Sequence, residues 1–68
     1  MQMIPVNSSN ISSVGYENGT LKVRFKTGGT YAYFDVPENI FNELIHAFSV
    51  GEYFTDNIKK VYKYQKLF

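Results

Sequence analysis

The chain has 68 residues, no cysteine, and seven Lys or Arg against six Asp or Glu, a formal net charge of +1. That length holds a single domain, residues 1–68, with a modest buried fraction and a thin stability margin. Lack of Cys excludes disulfides, thiolate metal sites and a thiol nucleophile, and the near-neutral charge excludes the strong basic excess of an obligate nucleic-acid binder.

Met1–Val6 has neither the positive start nor the apolar run of a secretory signal. No apolar stretch approaches a membrane span and no lipidation motif is visible, so the expected location is cytoplasmic. Asn7-Ser8-Ser9-Asn10 disfavours a regular element and reads as a polar lead-in. Ile11–Glu17 reads as a strand. Asn18-Gly19 then signals a type I′ turn, whose two central residues both need positive φ. Pairing across it sets Tyr16 opposite Leu21, Val14 opposite Val23 and Ser12 opposite Phe25.

Leu21–Lys26 and Thr30–Phe34 alternate in the manner of strands with one buried face. Taking Gly28-Gly29 as a two-residue hairpin loop pairs Lys26 with Tyr31, Arg24 with Tyr33 and Lys22 with Asp35. This register sends Val23, Phe25, Ala32 and Phe34 inward. It gathers Lys22, Arg24, Lys26, Tyr31 and Tyr33 on the opposite surface.

Pro37 suits a first helical turn, and Glu38 suits the positive end of a helix. Asp35 or Val36 would be the cap. Ile40, Phe41, Leu44, Ile45 and Phe48 recur at helical spacing and would cover Val14, Val23, Phe25 and Phe34. A second helix starts near Ser49–Gly51, with Tyr53, Phe54, Ile58 and Val61 inward. Tyr62–Leu67 alternates and reads as an extended tail against a sheet edge. The expected fold class is α+β: a three-stranded antiparallel β-meander followed by two helices and an extended C-terminal tail.

Catalysis finds little support. His46 is the single histidine and falls opposite the apolar stripe. Glu43 stands three residues before it, yet no nucleophile or orienting acid completes a constellation. Asp35, Glu38 and Glu52 lack calcium-loop spacing. Gly28-Gly29 lacks the spacing of a phosphate-binding loop and lies between strands that read as antiparallel. No enzyme activity, cofactor or metal is expected.

The surface formed by Lys22, Arg24, Lys26, Tyr31 and Tyr33 is the candidate site. Cations hold phosphates, and exposed rings stack with unpaired bases, so single-stranded RNA is the expected partner. An ordinary solvated face is the structural alternative. A protein partner or a homodimer is the functional one. Lys59, Lys60, Lys63 and Lys66 form a second basic group, with Asp35, Glu38, Glu43 and Glu52 between the two. Such segregation creates local positive potential in a nearly neutral chain.

The order and spacing of several segments resemble the KTSC domain, a short domain named for its occurrence at the C-terminus of some lysyl-tRNA synthetases. These are Ser8–Ile11, Val14-Gly15-Tyr16, Leu21–Phe25, Gly29–Tyr33, Val36-Pro37, Ala47–Phe54 and Asn57–Tyr64. The resemblance spans nearly the whole chain, and the family's aromatic-X-aromatic motif falls at Tyr31 and Tyr33. It implies a small module that occurs alone or appended to larger proteins, for which RNA binding has been proposed. It carries over no catalytic residue. Its contribution is the Tyr31-Ala32-Tyr33 motif with the neighbouring cations as a contact surface.

Overall fold

Two hairpins, one amphipathic stripe and a returning C-terminal strand build the computed structural model, which describes all 68 residues. The elements are β1 (Ile4–Pro5), β2 (Ile11–Glu17), β3 (Thr20–Phe25), β4 (Thr30–Tyr33), α1 (Glu38–His46), α2 (Val50–Asn57) and β5 (Tyr64–Lys66). The strands form one antiparallel sheet in the order β1-β2-β3-β4-β5. The β2–β3–β4 meander matches the expected three strands, while β1 adds to its open edge. The C-terminal tail is a strand pairing with β4, so the sheet has five strands rather than three.

The first hairpin follows its sequence signal. Asn18 and Gly19 both take positive φ, 51° and 83°, and Tyr16–Leu21 and Val14–Val23 pair as expected. An irregularity between Ile11 and Ser13 places Ile11, not Ser12, opposite Phe25. A bulge of this kind lets one strand carry an extra residue. Its result is that Ile11 is wholly buried.

The second hairpin corrects the expected register. Gly28 has φ 112°, whereas Gly29 is not in the positive-φ region. The Gly28 N–H donates to the Phe25 carbonyl at 3.0 Å, and the Phe25 N–H donates to the Gly29 carbonyl at 2.8 Å. The loop is therefore Lys26-Thr27-Gly28, a turn completed by a glycine at positive φ, and not Gly28-Gly29. Arg24 pairs with Thr30 instead of Tyr33, Lys22 with Ala32 instead of Asp35, and Tyr31 with Val23 instead of Lys26. A slip by an odd number of residues exchanges the faces of a strand. Tyr31 and Tyr33 consequently share the inner face with Val23 and Leu21, while Ala32 lies on the outer one with Lys22.

Both helices cover the inner face. Phe41 and Leu44 of α1, with Val50 and Phe54 of α2 and the following Ile58, pack in one core with Ile11, Val14, Leu21, Val23, Tyr33 and Val36. Tyr16 stacks on Phe41 with ring centroids 5.2 Å apart, and its hydroxyl donates to the Val36 carbonyl. Neither Asp35 nor Val36 caps α1. Pro37 holds the N-cap position without a side-chain bond; Asp35 is an exposed residue at φ 58°, and Val36 is buried. Ser49 caps α2, its Oγ accepting from the Glu52 N–H at 3.3 Å.

Three other assignments change. Phe48 lies beyond the end of α1 and is fully exposed, at 108%. Val61 lies in the turn after α2 and is exposed. Phe34 is half-buried and lies outside the core, because Tyr33 occupies the inner position. No helix is long and apolar enough to cross a membrane.

Candidate nucleic-acid interface

The corrected register redistributes the expected site residues. Lys22 and Arg24 alternate with Val23 and therefore point away from the helices, with Ala32 and Thr30 as their β4 partners. Lys26 is an exposed residue of the hairpin loop. Tyr31 and Tyr33 face the other way. The structure thus brings together the two tyrosines and separates them from the Lys22/Arg24 pair, because cations and rings occupy opposite phases of adjacent strands.

The tyrosines meet a different set of partners. β5 places Tyr64 opposite Tyr33 and Lys66 opposite Tyr31. Tyr31, Tyr33 and Tyr64 form a triangle with centroid separations of 6.5, 5.7 and 5.5 Å. Phe25 meets the Tyr31 ring edge-on at 5.6 Å, and Phe54 meets Tyr33 edge-on at 5.3 Å. Edge-to-face packing satisfies the ring quadrupoles and fixes their orientation. Tyr33 is 3% exposed, Tyr31 is half-buried and Tyr64 is 57% exposed. Tyr33 is therefore the floor, and the accessible rings are Tyr31 and Tyr64.

This cluster lines one side of an open groove of about 890 Å³ between the inner sheet face and α2 with the turn that follows it. Lys66 comes from β5. Lys59 and Lys60 come from the turn after α2, which is anchored by buried Ile58. Ser9, Asn10, Thr27 and Thr55 add polar side chains, and no Asp or Glu is among the lining residues. The groove is therefore cationic even though the chain as a whole carries a formal charge of +1. A low-dielectric wall beside such charges focuses the positive potential. Burial, followed by the influence of Tyr31 and Tyr64, pushes the Tyr33 hydroxyl up to about 12. It stays protonated as a hydrogen-bond donor at neutral pH.

Lys59, Lys60, Tyr64 and Lys66 were not among the residues expected at the site. Their signal was the alternation in Tyr62–Leu67 and the clustering of C-terminal lysines. What the pattern lacked was the partner strand. Elsewhere, His46 is exposed, and its Nδ1 lies 2.8 Å from the Asn42 carbonyl oxygen. That oxygen can only accept, so the nitrogen carries the proton. The Glu43 carboxylate accepts from the Tyr53 hydroxyl at 2.9 Å. No group of three metal-ligating side chains converges.

The KTSC domain model matches residues 7–62. The chain belongs to the KTSC domain family. A KTSC domain protein from Yersinia pestis has a crystal structure superposing with a TM-score of 0.95 at 38% identity, over 98% of this chain and 97% of that one. An uncharacterised protein of Stutzerimonas stutzeri is 33% identical over 98% of this chain and 99% of its own length. A lysine–tRNA ligase of Trichormus variabilis is 37% identical over 96% of this chain, a match covering 12% of the ligase. The domain thus matches proteins of its own size and a small part of a much larger enzyme.

Proposed function

We propose that this KTSC domain is a non-catalytic module that binds single-stranded RNA in the groove between the sheet and α2. The observation carrying the reading is the convergence of Lys59, Lys60 and Lys66 with Tyr31 and Tyr64 in a groove lined by no carboxylate. Lysines neutralise backbone phosphates without demanding one geometry. The two accessible rings receive bases, each stack contributing about 1–3 kcal/mol. Similarity to part of a lysine–tRNA ligase supports a nucleic-acid-related role. The groove asks for unpaired bases, which a regular duplex keeps inside its stack.

Titration with short single-stranded RNA at low and moderate salt tests this. Tyr64→Ala is the ring variant of choice, because Tyr64 is more exposed than Tyr31 and its loss leaves Tyr33 packed on Phe54. The expected result is binding that weakens with salt, weakens further in Tyr64→Ala, and loses about 0.7 of log–log salt slope for each phosphate contact removed with Lys59→Ala or Lys60→Ala. Undiminished binding by all three folded variants would exclude the groove.

Phe48 favours a second reading, a protein-interaction surface. A fully exposed phenylalanine at the α1–α2 junction makes no core contact, and aromatic anchors of this kind concentrate binding energy at protein interfaces. Mass measurement across a concentration series, with Phe48→Ala as control, tests self-association. A monomer throughout would reject the homodimer.

A further inference from the structure

The tip of the β3–β4 hairpin separates two depressions, and successive residues alternate between them. Thr27 and Gly29 line the groove described above. Lys26 and Gly28 line a second depression of about 530 Å³ on the other side, together with Ser12, Arg24, Thr30 and Phe68. Phe25 lines both. The second depression resembles the first in chemistry: two cations, an exposed ring, two hydroxyl side chains and no Asp or Glu side chain. Arg24 and Lys26 are exposed, and neither enters an ion pair. Phe68 is 77% exposed, yet its backbone is held near by the Thr30 carbonyl, which accepts from the Leu67 N–H at 2.8 Å and the Phe68 N–H at 3.4 Å.

Resting on the groove reading above, the geometry points to a second contact for the same single strand: the strand leaves the groove, crosses the hairpin tip at Lys26–Gly29, and meets Arg24, Lys26 and Phe68 on the outer side. Charge complementarity and continuity select this occupant. The Arg24 guanidinium offers a fork to phosphate oxygens, Lys26 adds a mobile point charge at the crossing, and Phe68 offers a face to one base. Gly28 and Gly29 present no side chain at the crossing.

A strand that fills only the groove does not reach the outer residues, so the inference is one about length. Single-strand grooves engage about 4–16 nucleotides. Dissociation constants are compared for RNA of about 4 and about 12 nucleotides, using wild type, Tyr64→Ala, the Arg24→Ala/Lys26→Ala double variant and Phe68→Ala. Urea melts verify that each variant folds. The expected result is that the double variant weakens the longer RNA severalfold, lowers its salt slope by about 0.7 per lost phosphate contact, and leaves the shorter RNA unchanged. Phe68→Ala weakens the longer RNA with the salt slope intact, a signature of lost stacking. Equal loss at both lengths would mean a general field effect and overturn the second contact. No loss at either length, with Tyr64→Ala still weakened, would overturn it and leave the groove standing. No binding of either RNA by the wild type would overturn both.

Discussion

Tyr33 joins the packing of the domain to its candidate chemistry. Its ring is buried against Phe54 and flanked by Tyr31 and Tyr64, and no side-chain polar atom in the domain is buried without a partner. Its hydroxyl pKa, raised to about 12 by burial and then by Tyr31 and Tyr64, makes pH a probe of this residue. Between about 10 and 12 the unfolded chain releases the phenolic proton while the folded one keeps it, so stability falls as pH rises. Tyr53 acts in the same window: burial, then its hydrogen bond to Glu43, also raises it to about 12. Urea midpoints should be insensitive to these groups below pH 10 and drop above it, and Tyr33→Phe should make that drop shallower. A midpoint that rises across the window would contradict the sign. A second contrast separates core from surface. Leu44→Ala should destabilise by about 2–5 kcal/mol, as for a fully enclosed leucine, whereas Phe48→Ala should change stability by no more than about 0.5 kcal/mol. Denaturant titrations of the two variants compare the wholly buried side chain directly with the fully exposed one.

Among the elements, the β3–β4 hairpin decides where the site lies, and Gly28 decides the hairpin. An alanine at φ 112° is strained, and a left-handed backbone costs an L-residue about 1–2 kcal/mol; Gly28→Ala should lower the urea midpoint by that equivalent. An unchanged midpoint would show that the loop relaxes into another turn. The same hairpin shows what the sequence could and could not say. The first hairpin was legible because β3 alternates and Asn18-Gly19 suits positive φ, and the start of α2 was legible to within the Ser49–Gly51 stretch. Gly28-Gly29 carries two glycines where one is needed, so local chemistry alone permits both registers. In either register the cations face solvent. The choice is whether Tyr31 and Tyr33, or Ala32 and Phe34, join Val23 inside, and it is made by packing against Phe54 and Tyr64, which are distant in sequence. The aromatic half of the candidate surface was therefore placed on the wrong face. Phe48 failed for a related reason: α1 ends at His46, two residues before the helical stripe does.

For the molecule as a whole, β5 closes both the sheet and the groove. It returns after two helices to pair with β4, places Tyr64 and Lys66 beside Tyr33 and Tyr31, and turns an alternating tail into the groove wall. The alternation was visible in the sequence, but its partner and register were not, since an extended segment does not announce which edge it joins. Deleting residues 64–68 should therefore do more than shorten the chain. It removes the ladder on β4, bares the Tyr31 and Tyr33 rings, and takes away two groove residues at once. A domain of this size has little stability in reserve, so the truncated chain should unfold at markedly lower urea and bind dye specific for exposed apolar surface. Tyr64→Ala/Lys66→Ala in the full-length chain is the control. It should lose groove binding while keeping most of the stability, because the β4–β5 backbone ladder survives. If the truncated chain instead melts with the wild type, β5 is peripheral to the fold and the groove loses its wall as a fixed feature. If the double variant melts with the truncated chain, side-chain packing rather than the ladder holds β5 in place.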